Sequence, residues 1–339
     1  MKRLFITILV VCLASSAVAY NKMPGKGKKL TPARATWTTG FFQEALVARA
    51  FKELGYKIKA PKDLANPIFY KSVTLGDVDY WVNGWFPIHN AHLPKNFNEK
   101  AEIVGHVIKA GGMQGYLASK KHVDKYNIKS LADFKRPEVK KAFDTNGDGK
   151  ADLVACPPGW GCEKTIGIHM DIYGLKNDIN LIKASYAASI ASALAMYKSD
   201  KPILFYTWTP SSTLLKLVPG EDVLWINVPE IKPHEAQKGK EKYMSVSGAV
   251  GTVTDPVKLG FVVSDIRAVA NKKFLDKNPA IRRFFEIFKI PLHDISAQNN
   301  KMDNGEKSKK DIKRHVDEWI KANQATYNGW LEEARKAAN

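Results

Sequence analysis

Hydrophobic residues along this chain alternate between helical and strand-like spacing. Between residues 38 and 54 they recur at helical spacing, Thr38 or Thr39 can cap the helix, and Gly55 can end it. A second helical pattern covers residues 186–197. Short apolar runs typical of strands occupy residues 56–60, 79–85, 114–118, 151–155 and 203–208. This alternation predicts an α/β fold with mostly parallel sheets.

The last part of the chain has a different pattern. From residue 272 onward it is almost wholly helical, with Pro279 and Pro291 as breaks. In the first part, distinctive motifs follow the strands that end near Trp85, Ala155 and Trp208. Ligands of open α/β sheets bind beyond the carboxyl ends of strands. We therefore expect one shared site in a cleft.

The amino-terminal residues have the pattern of an export signal. Lys2 and Arg3 precede an apolar run over residues 4–13, and Ala17-Val18-Ala19 matches the small residues at a cleavage site. We predict a signal peptide over residues 1–19, cleavage after Ala19 and a periplasmic protein. Cys12 raises a lipoprotein signal as an alternative, but the preceding Val10 and Val11 are larger than such signals prefer.

The mature chain would retain two cysteines, Cys156 and Cys162. An even, closely spaced pair in an exported protein indicates a disulfide. A loop this short gains roughly 2 kcal/mol in the chain-entropy model. That is too little to hold a large domain together, so the bridge is expected to fix local shape. The mature length of about 320 residues suits two lobes rather than one core.

The formal net charge of +18 first suggests nucleic acid as a partner. However, the excess comes from 43 lysines against 9 arginines, whereas arginine is preferred for forked phosphate recognition. The charges are scattered along the chain, and only residues 301–314 resemble a cluster. We therefore interpret the lysines as solvated surface and expect no nucleic-acid partner.

Three tryptophans occur among glycines and prolines: Trp85 within residues 84–89, Trp160 within 158–162 and Trp208 within 206–210. Burial in a core is the commoner fate of tryptophan. Neighbouring glycines, however, leave an indole face open. A trimethylammonium group carries charge but no N–H donor, so aromatic faces bind it better than hydrogen bonds do. The three indoles therefore suggest a site for a quaternary ammonium group.

The residues after Trp160 suggest how an opposite charge would be bound. A helix beginning near Glu163 would leave backbone N–H groups of Gly161 and Cys162 free for a carboxylate. The predicted disulfide would hold this turn open before binding and so lower the ordering cost. His89, four residues after Trp85, is either a structural histidine or a further ligand contact.

With these motifs the sequence resembles the periplasmic glycine betaine/proline betaine-binding proteins of osmoprotectant ABC transporters, over essentially the whole mature chain. The resemblance is strongest in residues 144–152, 156–163, 206–210 and 315–320. It implies a two-lobed periplasmic binding protein fold (type II-like) with two crossover strands and a helical C-terminal region. The crossovers are expected near residues 113–117 and 262–269. Lobe 1 would then comprise residues 20–114 and 266–339, and lobe 2 residues 115–265.

The resemblance also implies specific ligand contacts. The family's aromatic box maps onto Trp85, Trp160 and Trp208. Its carboxylate donors map onto the His89 side chain and the backbone N–H groups of Gly161 and Cys162. Two departures bear on the exact ligand. Asn90 stands where relatives carry an acidic residue, and Ser211-Ser212 replaces bulkier residues. Residues 233–258 resemble the family least.

We therefore predict a monomeric protein, without a required cofactor, that captures a small zwitterionic quaternary-ammonium ligand for an ABC transporter permease in the inner membrane. A sensor subunit and a choline- or sulfonium-binding protein are the alternatives. We do not expect an enzyme. The chain lacks Gly-x-Ser-x-Gly, His-Glu-x-x-His and phosphate-loop motifs. A disulfide would also remove any Cys-His nucleophile.

An acidic segment has the spacing of a calcium loop. Asp144, Asn146, Asp148 and Asp152 match the first nine positions of an EF-hand loop, but Ala155 occupies the twelfth position, which usually carries Glu. A structural calcium ion is one interpretation, and a plain acidic turn is the other.

Overall fold

The computed structural model describes residues 23–338 of the chain. The predicted signal peptide, with Cys12 and the cleavage position after Ala19, lies outside the described residues.

Strands alternate with helices between residues 29 and 271. The strands are β1 Lys29–Leu30, β2 Ala33–Ala35, β3 Lys57–Ile58, β4 Lys62–Leu64, β5 Tyr80–Phe86, β6 Ala101–Gly112, β7 Gln114–Ser119, β8 Ala151–Val154, β9 Ile179–Ile182, β10 Leu204–Trp208, β11 Val223–Ile226, β12 Ser245–Val246, β13 Val257–Lys258 and β14 Ser264–Asn271.

The helices confirm the predicted helical C-terminal region. They are α1 Thr39–Glu53, α2 Asn66–Leu75, α3 Phe97–Lys100, α4 Lys120–Lys125, α5 Pro137–Phe143, α6 Gly161–Ile172, α7 Tyr186–Lys198, α8 Thr213–Lys216, α9 Lys272–Asp276, α10 Pro279–Ile287, α11 Leu292–Asp303, α12 Lys309–Ala322 and α13 Gln324–Lys336. No helix within residues 23–338 is both long and apolar enough to cross a membrane.

Two sheets form the centres of the molecule. One has five strands in the order β11-β7-β10-β8-β9, and the other has three in the order β5-β14-β6. We call the three-stranded sheet, with α1, α2 and the C-terminal helices, the first lobe. The five-stranded sheet and the helices around it form the second lobe. The two-lobed fold is confirmed, whereas the lobe boundaries 20–114, 266–339 and 115–265 stay a prediction.

The expectation of mostly parallel sheets is wrong for the first lobe. Strands β8, β9 and β10 are parallel, but β7 is antiparallel to both its neighbours. The three-stranded sheet is antiparallel throughout. The reason is the path of the chain, because β6 leaves this lobe for the second lobe and β14 returns from it. An outgoing and a returning strand that lie side by side must be antiparallel.

The chain passes between the two sheets at two places. Met113 is the sole residue between β6 and β7, which belong to different sheets. The return runs into β14 through residues 259–263, where the Val263 N–H still donates to the Tyr243 carbonyl of the second lobe, at 3.0 Å. Thr209 binds the outgoing crossing, because its N–H donates to the Met113 carbonyl at 2.8 Å. Its hydroxyl donates to the Gly111 carbonyl, also at 2.8 Å.

Helix α1 forms as its sequence predicts, but its cap differs. It ends before Gly55, whose φ of +94° is left-handed and favours glycine. Thr38 is the N-cap residue, yet neither it nor Thr39 caps the helix through a side-chain hydrogen bond. The Thr39 hydroxyl instead lies 3.4 Å from the Pro210 carbonyl of the second lobe. The start of α1 therefore faces the cleft.

The C-terminal helices complete the first lobe. Helix α12 packs on α1, and α13 packs on α10. The Trp319 and Trp330 rings stack in parallel at 5.7 Å between centroids, and Trp319 meets Phe42 of α1 edge-on at 6.4 Å. Pro279 occupies the first position of α10, where its missing N–H costs nothing. This packing fixes α1, and with it the residues that precede α1 in the cleft.

Candidate ligand-binding site

A small cavity lies between the two lobes. The cavity is lined by Trp37, Trp85, Ile88, His89, Gln114, Trp160, Gly161, Cys162, Tyr206 and Trp208. The structure thus brings together all six residues predicted as ligand contacts, and it adds four that sequence reasoning missed.

Four indoles form the walls of this cavity, and we call Trp37, Trp85, Trp160 and Trp208 the aromatic cage. Trp160 lies between two of its members, 5.3 Å from Trp37 and 5.5 Å from Trp208 between ring centroids, with both rings edge-on. Trp85 and Trp208 are buried, whereas Trp160 is partly exposed. Edge-on packing of neighbouring rings leaves ring faces available to a ligand.

Two cage indoles are held by a single amide. The N–H groups of Trp37 and Trp85 both donate to Oδ1 of Asn83, at 2.7 and 3.0 Å. Asn83 in turn donates through Nδ2 to Oε1 of Gln43 on α1, at 2.6 Å. Asn83 precedes Gly84 and Trp85 on β5. Because each indole N–H is engaged within the protein, both rings are fixed before a ligand arrives.

The other two cage indoles are held across the lobe boundary. The Trp160 N–H donates to the Thr36 hydroxyl at 3.0 Å, and the Trp208 N–H donates to the Thr39 hydroxyl at 3.4 Å. Both tryptophans belong to the second lobe, and both threonines belong to the first. The complete cage therefore exists only when the lobes are close together.

His89 lies in the turn after β5 and is buried. Its Nδ1 accepts from the Trp85 backbone N–H at 3.1 Å and from the Tyr70 hydroxyl at 2.8 Å. The ring proton must therefore reside on Nε2. Burial, followed by the charge of His92, lowers the pKa of His89 well below its ordinary value. His89 is thus a neutral imidazole whose N–H donor is on Nε2. This nitrogen lies 3.0 Å from Nδ2 of Asn66, which is also a donor, so neither group supplies the other with an acceptor.

Helix α6 begins against this imidazole. A Cβ at Gly161 would lie 2.8 Å from Cδ2 and 3.3 Å from Nε2 of His89, so only glycine allows this approach. The first N–H groups of a helix have no acceptor within it, and the N-cap residue Trp160 provides no side-chain cap. The amides of Gly161 and Cys162 are therefore donors without an acceptor inside the helix, and both residues line the cavity with His89, whose Nε2 is the third donor. We call these three donors the donor end of the cavity.

A disulfide closes the loop that carries Trp160. Cys156 and Cys162 are bonded, as predicted, with their Cα atoms 5.9 Å apart. Gly159 within this loop has a φ of +84°, and its carbonyl accepts from the Asn66 N–H of the first lobe at 3.3 Å. The bridge thus connects the end of β8 to the first turn of α6. It holds Trp160 and the amides of Gly161 and Cys162 in one rigid unit.

Sequence reasoning missed Trp37, Ile88, Gln114 and Tyr206. Tyr206 had a usable signal, because residues two apart on a strand share a face and Trp208 follows it on β10. Ile88 directly precedes His89. Trp37 has no neighbouring glycine, and Gln114 is an ordinary polar residue at a strand start. Their roles depend on contacts with residues distant in sequence, which no local pattern reveals.

The carboxylates of Asp144 and Asp152 in the acidic loop accept hydrogen bonds from the protein itself. Asp144 accepts backbone N–H groups from Gly147 and Gly149 at 2.7 and 2.9 Å, and the bonds to this loop lower its pKa. Asp152 accepts from Asn180 at 2.8 Å and from the backbone of Thr145 at 3.0 Å. Within residues 23–338, no group of three or more His, Cys, Asp or Glu side chains is arranged to hold a metal ion. The calcium site involving Asn146 and Asp148 stays a prediction.

Comparison with known proteins decides the family. Residues 28–322 match the family described as the substrate-binding domain of the ABC-type glycine betaine transport system. The chain belongs to this family. Its members are substrate-binding proteins of transporters.

Two curated relatives and one solved structure show how far the similarity extends. The chain is 40% identical over 330 residues to the glycine betaine-binding periplasmic protein OusX of Dickeya dadantii, covering 97% of each. It is 38% identical over 334 residues to the glycine betaine/proline betaine-binding periplasmic protein of Escherichia coli, covering 98% of each. Lactococcal OpuAC, closed around glycine betaine, is similar in fold, with a TM-score of 0.66 at 20% identity, covering 90% of this chain and 99% of that one.

Proposed function

We propose that this protein captures glycine betaine, proline betaine or a closely related quaternary-ammonium zwitterion and presents it to the permease of an ABC importer. The observation that carries the proposal is the composition of one cavity. Four indoles form its walls, and a cluster of neutral hydrogen-bond donors lies at one end. These two features complement the two charges of a methylated zwitterion.

The aromatic cage suits the ammonium end of the ligand. A trimethylammonium group cannot donate hydrogen bonds, so it loses little when it leaves water for an aromatic surface. Each ring face contributes about 0.5–2 kcal/mol, with more when the contact is desolvated. The methyl groups add about 0.8 kcal/mol for each one buried. An unmethylated ammonium would instead lose hydrogen bonds to water that the indoles cannot replace.

The donor end suits the carboxylate. Backbone N–H groups at a helix start and the neutral imidazole of His89 donate hydrogen bonds, and they bring no full positive charge into the protein. Hydrogen bonds to a charged group contribute about 1.5–3 kcal/mol each. Choline, the alternative ligand, has no carboxylate and would leave donors of Gly161 and Cys162 unpaired. This favours a zwitterion over choline or a sulfonium compound without an acid group.

The contacts between the lobes support a closed, ligand-ready state. Besides the bonds to Thr36 and Thr39, the Ser212 hydroxyl donates to the Asp303 carboxylate across the cleft. Lys216 makes an ion pair with Asp303 at 3.5 Å. A ligand that contacts both lobes would favour this closed form, which the permease would recognise. A sensor subunit would use the same closed form.

The proposed location follows from the chain's amino-terminal pattern and its relatives. The curated relatives are named as periplasmic proteins, and the disulfide suits an oxidising compartment. We propose export to the periplasm with cleavage after Ala19 and function as a monomer beside the inner-membrane permease.

Calorimetry with purified protein tests the proposal. Wild type should bind glycine betaine with an affinity in the micromolar range, and Trp160→Ala should bind at least about tenfold more weakly, a loss of about 1.4 kcal/mol. Trp160→Phe is the matched control, because it keeps an aromatic face at this position. The ligand should be recovered unchanged after incubation. Absence of betaine binding to the folded wild-type protein would refute the proposed function.

A further inference from the structure

Gln114 lies in the ligand cavity at the point where the chain enters the second lobe. It is the first residue of β7 and follows Met113, the residue between the two sheets. In the antiparallel pair of β7 and β10 it lies directly opposite Trp208. The side chain is 3% exposed and lines the same cavity as the aromatic cage. Any ligand in the cage therefore lies close to this amide.

The orientation of the amide is fixed by Tyr206. The Tyr206 hydroxyl donates to Oε1 of Gln114 at 2.6 Å. Tyr206 is buried on the same face of β10 as Trp208, and burial raises its pKa well above the ordinary value. The phenol therefore stays protonated and remains a donor. With Oε1 occupied in this way, Nε2 has to find its partner elsewhere.

Nε2 of Gln114 has no hydrogen-bond partner within residues 23–338. A buried amide donor without a partner is costly, and native proteins rarely retain one without a use. Gln114 lines the cavity that we propose to bind a carboxylate. A ligand acceptor would remove the cost, and the bond would form only when that acceptor is present.

We propose that Gln114 is a specificity-determining residue whose Nε2 donates to a carboxylate oxygen of the bound ligand. This inference rests on the proposed function and refines it. Nε2 of Gln114 and the donor end together present only donors to the ligand. Such a set accepts a carboxylate but opposes any N–H group of the ligand. The site therefore discriminates in favour of fully N-methylated amino acids and against cations that lack an acceptor.

The test removes the amide without leaving the Tyr206 hydroxyl unpaired. The single variant Tyr206→Phe is the reference, and it is compared with the double variant that also carries Gln114→Met. Methionine is similarly long and unbranched but cannot donate a hydrogen bond. Calorimetry compares glycine betaine with tetramethylammonium, which has the cation but no acceptor. Adding Gln114→Met should weaken glycine betaine by at least about tenfold. Tetramethylammonium affinity should change by no more than about twofold.

A second variant keeps the Tyr206 contact intact. Gln114→Glu retains an acceptor for the hydroxyl and replaces the free donor by a second acceptor with negative charge. Glycine betaine should bind at least about a hundredfold more weakly to this variant, because its carboxylate would face another carboxylate. Tetramethylammonium should bind at least as well as to wild type. Thermal melts establish that each variant is folded.

The outcomes separate this inference from the proposed function. If wild type binds glycine betaine but Gln114→Glu binds it within about threefold of wild type, Gln114 is not a donor to the carboxylate. If Gln114→Met weakens both ligands equally, the residue only packs, and the inference is again wrong. If wild type binds neither ligand, the proposed function itself fails.

Discussion

A single methyl group at Gly161 should disable the donor end while leaving the aromatic cage in place. In Gly161→Ala, the new Cβ would lie 2.8 Å from Cδ2 of His89, whereas carbon atoms pack at about 3.5–4.0 Å. The imidazole cannot swing away freely, because Tyr70 and the Trp85 backbone hold Nδ1 and the ring is buried. Either the ring or the start of α6 must move by more than half an ångström.

A displacement of this size weakens the hydrogen bonds that define the donor end. The loss of one bond to a charged carboxylate corresponds to about 1.5–3 kcal/mol, or about a ten- to hundredfold weaker Kd for glycine betaine. Binding of tetramethylammonium, which has no carboxylate, should change little. The same helix offers a matched control in Gly167, where an added Cβ would meet no atom within 4 Å.

Isothermal calorimetry and thermal melts on both variants test this reasoning. Gly167→Ala should bind glycine betaine as wild type does and gain about 0.5–1 kcal/mol in stability, because alanine is the better helix former. Gly161→Ala should remain folded while it loses affinity. If Gly161→Ala binds glycine betaine within about twofold of wild type, the carboxylate does not lie between His89 and α6.

Three further predictions concern pH, metal and processing. Because the pKa of His89 lies well below its ordinary value, the imidazole is neutral above pH 6.5 and glycine betaine affinity should be flat from pH 6.5 to 8.5. A tenfold weakening per pH unit in calorimetry over this range would instead indicate an imidazolium donor. If the loop over residues 144–152 binds calcium, the ion should raise the melting temperature and a chelator should lower it. Identical melts in both conditions would show that the loop is an acidic turn without a bound ion. Mass spectrometry of exported protein should find Tyr20 as the first residue and two hydrogens lost to the Cys156–Cys162 bridge. A lipidated Cys12 would contradict the first assignment, and two free thiols would contradict the second.

Much of the fold could be predicted because its elements have strong local signals. Helix α1 has apolar residues at regular helical spacing and a glycine at its end, and β5 is an unbroken buried run. The family resemblance supplied the two crossings, which local patterns cannot show. The strand expected over residues 56–60 forms only at Lys57–Ile58, since regular pairing extends no further there.

The parts that could not be predicted depend on contacts between distant segments. Trp37 joins the cage because Asn83, 46 positions away, accepts its N–H. Thr39 appears to local reasoning as a helix cap, yet its hydroxyl receives the Trp208 N–H from the other lobe. Gln114 has no motif around it. Its proposed role follows from the hydrogen bond that the Tyr206 hydroxyl donates to Oε1, and from the lack of a partner for Nε2 among residues 23–338. Local sequence patterns predict helices and strands, whereas the ligand cavity forms from contacts between the two lobes.

The most direct test of the central claim is the affinity of the wild-type protein for glycine and its N-methylated series. Calorimetry with glycine, N-methylglycine, N,N-dimethylglycine and glycine betaine changes only the group that the aromatic cage is proposed to hold. Three buried methyl groups at about 0.8 kcal/mol each contribute about 2.4 kcal/mol, or about fiftyfold in Kd, and the unpaired N–H groups of glycine add to this difference. Affinity should therefore rise with each methyl group and reach the micromolar range for glycine betaine. If glycine binds as tightly as glycine betaine, the cage does not recognise a quaternary ammonium group, and the account is wrong.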